Sequence, residues 1–194
     1  MRKRLHPIIE AAAKGRLPDW STVTPTRYEH MAGVSSLLGD WAVSLHLSAI
    51  DTARWRATGY LHDALRENHP ETLRLKLPSG LRILPPDMLH GPAVAERLRL
   101  EGILDDELLG AVTYHSIGHE SLNGLGRALY SADFLEPGRM IKVEWCERLR
   151  ARMPEELNDV TTEIVAARIT YSIEHGLQLF PETVGFWDAL VNGL

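Results

Sequence analysis

Two side chains that can bind a metal ion stand next to each other in one mostly apolar stretch of the chain. His62 and Asp63 lie in the middle of residues 56–66, whose pattern is typical of a helix. An ionised carboxylate in such surroundings costs free energy unless it is paired or bound to a cation. Because a neutral imidazole adjoins it, a divalent metal ion is the natural cation. The sequence therefore predicts that other parts of the chain supply further ligands.

Further histidines and one more aspartate recur along the chain, each on or beside a different predicted helix. A lone histidine in a helix is more often a packing residue than a ligand, but an ordered series is more specific. Four imidazoles and two carboxylates exceed what one tetrahedral ion needs, so the set has room for two ions if one carboxylate bridges them. Mixed histidine–carboxylate ligation suits iron, manganese and related ions. The candidates are His30, His62, Asp63, His90, His115 and Asp133.

The composition of the chain narrows its class. It has 194 residues, a formal net charge of −5 and one cysteine, Cys146. A disulfide framework is therefore excluded, and a cytoplasmic protein is expected. The negative charge gives no reason to expect nucleic acid or an anionic membrane as a partner.

Apolar residues recur at helical spacing along most of the chain, and no stretch alternates as a strand does. Helix starts are predicted at Pro25 or Thr26, at Ser48 and at Asp105, where the residue types favour N-terminal capping. We expect an all-α bundle of roughly eight to ten helices in a single domain, residues 1–194. The remaining predicted helices are 2–14, one opening at Pro92, 125–134, 139–153, 155–175 and 181–191.

Short strings around the candidate ligands resemble those of the HD-domain superfamily of metal-dependent phosphohydrolases. The most discriminating string is Tyr130-x-Ala132-Asp133-x-x-Glu136-Pro137-x-Arg139, which general HD proteins lack. With the other strings it is similar to the YqeK type, the symmetrical diadenosine tetraphosphate hydrolases. The resemblance covers about residues 25 to 175, and its further strings are 27–34, 61–63, 86–92 and 114–118.

The resemblance implies a nucleotide substrate, cleavage of diadenosine tetraphosphate into two ADP molecules, and a dinuclear, iron-containing centre. Manganese or another divalent ion remains an alternative. By matching positions, one ion would be held by His30, His62, Asp63 and Asp133. The second would be held by His90 and His115, with Asp63 as the bridge.

Basic and hydroxyl side chains near these strings are the candidates for contacting phosphates. Arg66 stands where the family often has lysine. The planar guanidinium of arginine is not equivalent to the compact ammonium group of lysine. Ser116 replaces a threonine, and His119 stands where a small or basic residue is expected. Arg27 is a further candidate, although it could simply cover a helix start. Asp63 and Arg66 are the candidate catalytic residues.

Arg139 is the last substrate-binding candidate. It stands three residues after Glu136, so a structural pair with that carboxylate or with a helix terminus is the alternative.

Three other functions stay open. The same metal chemistry could act on another nucleotide, either a mononucleotide or a deoxynucleotide. The chain could instead be a non-catalytic nucleotide-binding module, or it could perform oxidative chemistry at a di-iron site. Residues 176–194 lie beyond the motifs, and their apolar side chains would either complete the core or form a homodimer contact.

Overall fold

The described part of the chain, residues 4–139 and 142–193 of a computed structural model, forms ten α-helices and no strand. The prediction of an all-α fold is therefore confirmed. Two 3-10 turns, Ser79–Leu81 and Pro86–Met88, lie in the proline-containing stretch between α4 and α5. The helices are α1 (Pro7–Ala12), α2 (Pro25–Ser44), α3 (Ala49–Leu61), α4 (Pro70–Arg74), α5 (His90–Leu100), α6 (Asp106–Tyr114), α7 (Gly124–Leu135), α8 (Val143–Arg150), α9 (Leu157–Glu174) and α10 (Pro181–Val191).

Three helices begin where capping side chains predict. The Thr24 hydroxyl accepts a hydrogen bond from the Arg27 amide at 3.2 Å, directly before Pro25 opens α2. The Ser48 hydroxyl accepts from the Asp51 amide at 3.1 Å at the start of α3, and the Asp105 carboxylate accepts from an amide of α6. Each bond satisfies an N–H that has no partner within its helix.

Helices α2 and α3 approach each other closely because position 59 is glycine. A Cβ atom there would lie 2.5 Å from the Cα atom of Ser35 on α2, a separation that real Cβ atoms essentially never show. The backbones can therefore lie side by side, with Ser35 and Thr58 buried between them. This contact carries His30 of α2 towards the C-terminal end of α3, where His62 is the capping residue.

The C-terminal helix contributes to the core. The Phe186 ring on α10 is fully buried and packs edge-on against Tyr130 of α7, with ring centroids 5.2 Å apart. Leu190 is also buried, whereas Leu177 in the preceding segment remains half exposed. Of the two roles expected for residues 176–194, completion of the core is thus seen in the structure.

Several helix ends differ from the predictions. Helix α1 begins at Pro7 rather than at residue 2, and residues 2 and 3 lie outside the described residues. Helix α8 covers Val143–Arg150, shorter than the predicted 139–153. None of the described helices has the length and apolar character that would let it cross a membrane.

Candidate metal centre

The six predicted ligands come together at one place in the bundle. His30 lies one turn into α2, and His62 and Asp63 directly follow α3. The other three lie at or near a helix end. These are His90 at the first residue of α5, His115 directly after α6, and Asp133 near the end of α7. All of them are buried except His30, which is half-buried.

Asp63 occupies the centre of this cluster. Its Oδ1 atom lies 3.0 Å from His90 Nε2 and 3.6 Å from His115 Nε2. Its Oδ2 atom lies 2.7 Å from the Arg27 guanidinium and 3.6 Å from His62 Nε2. Each carboxylate oxygen therefore faces a different set of histidines, which is the arrangement that a bridging carboxylate needs.

The surroundings of Asp63 keep it ionised. Burial raises the pKa of this carboxyl, but the neighbouring imidazoles of His62, His115 and His90 outweigh burial and hold the pKa well below its ordinary value. An ionised carboxylate is the form that binds a divalent cation.

A second group of donors lies on the other side of His62. His30 Nε2 is 2.9 Å from Asp133 Oδ1, and His62 Nε2 is 3.7 Å from the same oxygen. Burial raises the pKa of Asp133, but the hydrogen bond from His30, the nearby His62 ring and the charge of Arg139 hold the pKa well below its ordinary value. One atom each of His30, His62 and Asp133 lies within 4.8 Å of the others, and the same holds for His62, Asp63 and His115.

His62 supplies the clearest sign that these donors fit a cation. Its Nδ1–H donates to the Gly59 carbonyl at 2.8 Å, which leaves Nε2 turned towards the two carboxylates. Nε2 is buried and has no hydrogen-bond partner among the described atoms. A buried polar atom left in this state costs about 1–3 kcal/mol. A divalent ion between His62 and the carboxylates would remove that cost.

His90 and His115 face each other beside Asp63. Their Nε2 atoms lie 3.1 Å apart, and His115 Nδ1–H donates to the Val112 carbonyl at 2.8 Å. Burial lowers the pKa of His90 more than the Asp63 carboxylate raises it, so the pKa lies below its ordinary value. Neutral imidazole, the form that ligates metals, is therefore favoured near pH 7.

Glu136 contacts the cluster although the sequence did not mark it as a site residue. Its Oε2 atom lies 3.0 Å from His30 Nδ1, and its Oε1 atom accepts from the Gly138 amide at 2.8 Å. Burial lowers the pKa of His30, but the hydrogen bonds to Asp133 and Glu136 outweigh it, and the pKa is raised. Glu136 thus orients the His30 ring with Nε2 towards Asp133, as partners of metal-binding histidines commonly do. Its place three residues after Asp133 is the sequence signal that could have identified it.

The cluster opens into a cavity of about 890 Å³. The three arginines that were predicted to contact phosphates all line this cavity. Arg27 donates to Asp63 at 2.7 Å, and Arg139 donates to Asp133 at 2.5 Å. Arg66 donates to the Asp87 carbonyl, and its Nη1 atom lies 3.1 Å from His90 Nδ1. The guanidinium groups therefore surround the ligands on the open side.

Arg139 does not form the ion pair with Glu136 that the sequence offered as an alternative to substrate binding. Its ion pair is formed with Asp133, whereas the sequence suggested Glu136, which instead faces His30. Arg139 is thus tied to a candidate ligand and also lines the cavity.

The two remaining substrate-binding candidates are placed differently. Ser116 lines the cavity, and its hydroxyl lies 3.1 Å from His115 Nε2. His119 is not among the lining residues. Its ring stacks on Tyr114 with centroids 4.2 Å apart, and its Nδ1 atom bonds to Ser121.

Arg168 lines the cavity without any signal in the sequence around it. It lies on α9, donates to the Ser116 carbonyl at 2.6 Å, and holds its guanidinium 4.9 Å from the centre of the Tyr130 ring. Its place in the site depends on how α9 packs against α7, which local sequence does not reveal.

Known proteins resemble this chain in sequence. The sequence profile of the HD domain family matches residues 27–160. Three relatives named "Bis(5'-nucleosyl)-tetraphosphatase, symmetrical" are similar to most of the chain. The protein from Halalkalibacterium halodurans is 26% identical, with 87% of this chain and 91% of the relative covered. The Bacillus subtilis protein is 24% identical (88% and 92% covered), and the Staphylococcus aureus protein is 26% identical (89% and 87%).

A solved structure shares the fold. The crystal structure of a predicted HD superfamily hydrolase from Clostridium acetobutylicum, described as involved in NAD metabolism, superposes with a TM-score of 0.76. It is 23% identical in sequence, and the match covers 96% of both chains. At that identity the likeness is evidence for the helical architecture alone.

Proposed function

This chain belongs to the HD domain family, and we propose that it is a metal-dependent phosphohydrolase that cleaves diadenosine tetraphosphate symmetrically into two ADP molecules. The observation that carries the proposal is the cluster of six histidine and aspartate ligands opening into an arginine-lined cavity. The names of the three relatives support the choice of substrate and of bond.

The donor set favours two ions. We assign His30, His62 and Asp133 to one ion and His90 and His115 to the other, with Asp63 between them. Imidazole and carboxylate ligands suit iron, and manganese is the alternative. When bound, such ions supply Lewis-acid activation of a water molecule and of the phosphoryl group that it attacks.

The arginines give the cavity its phosphate-binding character. Guanidinium groups form paired, charge-assisted hydrogen bonds with phosphate oxygens. Arg66, held by the Asp87 carbonyl, points its charge at the edge of the cluster, where it would stabilise negative charge as it develops. Arg27 and Arg139 lie beside the two carboxylates and would bind the phosphates on either side of the cleaved bond.

The size of the cavity agrees with a large substrate. Ligand sites commonly span about 300–1,000 Å³, and this cavity, of about 890 Å³, lies near the upper end of that range. Such a cavity has room for the phosphate chain of a large substrate.

Product analysis tests the proposed function. The purified, metal-loaded protein is incubated with diadenosine tetraphosphate, and a chelated sample serves as the control. ADP as the sole product, lost on chelation, is the expected result. ATP plus AMP would contradict symmetrical cleavage, and no turnover by the metallated protein would overturn the substrate.

A further inference from the structure

A second cavity adjoins the one that contains the metal cluster. It has a volume of about 270 Å³ and is lined by residues of α9, the segment 177–180 and the start of α10. Four lining residues are common to both cavities, so the two spaces meet there. These shared residues are Asp87, Met88, Ser116 and Arg168.

The two cavities differ in chemistry. Histidines, carboxylates and arginines surround the first, whereas apolar side chains, among them the Phe180 and Tyr130 rings, form just over half of the second. A few polar groups interrupt this apolar wall, among them Ser172 on α9 and the Gln178 amide, which can both donate and accept. A nucleobase has flat apolar faces and a polar edge, and sites of this composition are typical for such ligands.

The start of α10, which forms one side of the second cavity, is anchored to the rest of the protein. The Thr183 hydroxyl donates to the Ile117 carbonyl at 2.7 Å, which ties the start of α10 to the loop after α6. Phe186, one turn further along α10, is fully buried. The α10 side of the slot is therefore held in place by contacts within the protein.

Arg168 lies where the two cavities meet and is already held in position. The Ser116 carbonyl and the Tyr130 ring hold its guanidinium group. None of the described carboxylates forms an ion pair with it within 4.0 Å. Its positive charge remains available for an anionic ligand.

We infer that the second cavity binds one nucleoside of the substrate and that Arg168 binds the phosphate attached to its ribose. This inference rests on the proposed function. In diadenosine tetraphosphate, two phosphates separate the central bond from each nucleoside. With the central bond at the metal cluster, one phosphate lies beside the cluster, the next reaches Arg168, and the nucleoside enters the apolar slot.

A cavity-filling variant tests the inference through binding. Ser172→Trp places a large ring in the slot, and ADP and inorganic pyrophosphate are titrated calorimetrically into the metal-loaded variant and wild type. The affinity for ADP should fall about tenfold or more, whereas the affinity for pyrophosphate, which lacks a nucleoside, should stay unchanged. Thr170→Trp is the matched control, because Thr170 is exposed on the same helix and does not line the cavity.

Two results would overturn the inference. One is an unchanged affinity of Ser172→Trp for ADP. The other is a wild-type protein that binds ADP no more tightly than pyrophosphate. If Ser172→Trp does not fold, as judged by its thermal unfolding, Ser172→Leu takes its place.

Turnover of diadenosine tetraphosphate by the same proteins separates this inference from the proposed function. A wild type that cleaves the substrate, with an unchanged KM in Ser172→Trp, would reject the nucleoside site alone. A wild type that does not cleave it, while ADP binding still depends on the slot, would reject the proposed function alone.

Discussion

A buried carboxylate stays ionised only where its partners outweigh the cost of burial, and Asp63 is surrounded by such partners. A guanidinium and three imidazoles lie within 3.6 Å of its oxygens, and they come from α2, α5 and the ends of α3 and α6. Arg27 and the three histidines belong to four different segments. The negative charge of Asp63 stabilises these side chains where they converge.

Replacing this carboxylate tests its role directly. Asp63→Ala should lose bound metal and hydrolytic activity together. Both losses should exceed the roughly 10–100-fold that is typical when a residue hydrogen-bonded to a metal ligand is removed. Metal content by mass spectrometry and turnover are measured on the same sample. Asp40→Ala, which removes an exposed carboxylate of α2, should change neither. An Asp63→Ala protein that remains metal-loaded and active would refute the assignment.

Residues differ in how far the sequence could predict their place. His62 and Asp63 were recognisable because an ionised carboxylate beside a neutral imidazole in an apolar stretch favours a bound cation. Arg168 was not, because its place in the site depends on how α9 packs against α7. His119 stands close to a motif in sequence, yet its ring stacks on Tyr114 instead of reaching the cavity.

Helices place these side chains through their ends and their close contacts. The starts of α2, α3 and α6 were predictable because a capping hydroxyl or carboxylate acts within three residues of chain. The start of α8 was not, since its N-cap, Lys142, makes no side-chain capping hydrogen bond. Local chemistry therefore defined some boundaries, and tertiary packing defined the others.

Helix α2 carries a glycine that makes room for Glu136, and this gives a prediction at the level of the element. A Cβ atom at Gly33 would lie 2.6 Å from Glu136 Oε1. Gly33→Ala should therefore displace Glu136 from His30 and weaken metal binding by about 10–100-fold. The helix itself should persist, because alanine is the better helix former.

The matched control is another glycine in a helix. Gly110 in α6 has open space where a Cβ atom would stand. Gly110→Ala should raise the free energy of unfolding by about 0.5–1 kcal/mol and leave metal affinity unchanged. Equal metal affinities of Gly33→Ala and wild type, measured by competition with a chelating dye, would show that Glu136 does not position His30.

The whole molecule combines two kinds of stabilising contact around one site. Apolar side chains, from Met31 on α2 to Phe186 on α10, form a continuous core. The polar cluster lies against that core, with His62 Nε2 buried and unpaired. A bound cation would add stability in proportion to its affinity, because it binds the folded chain and not the unfolded one.

The most direct test of the account is an anomalous diffraction map of crystals loaded with ferrous iron and measured at the iron absorption edge. We predict two peaks within the cluster. One should lie beside His30, His62 and Asp133, the other beside His90 and His115, with Asp63 between them. A map with no peak in the cluster would contradict the metal centre itself, and a single peak at full iron loading would contradict the two-ion site.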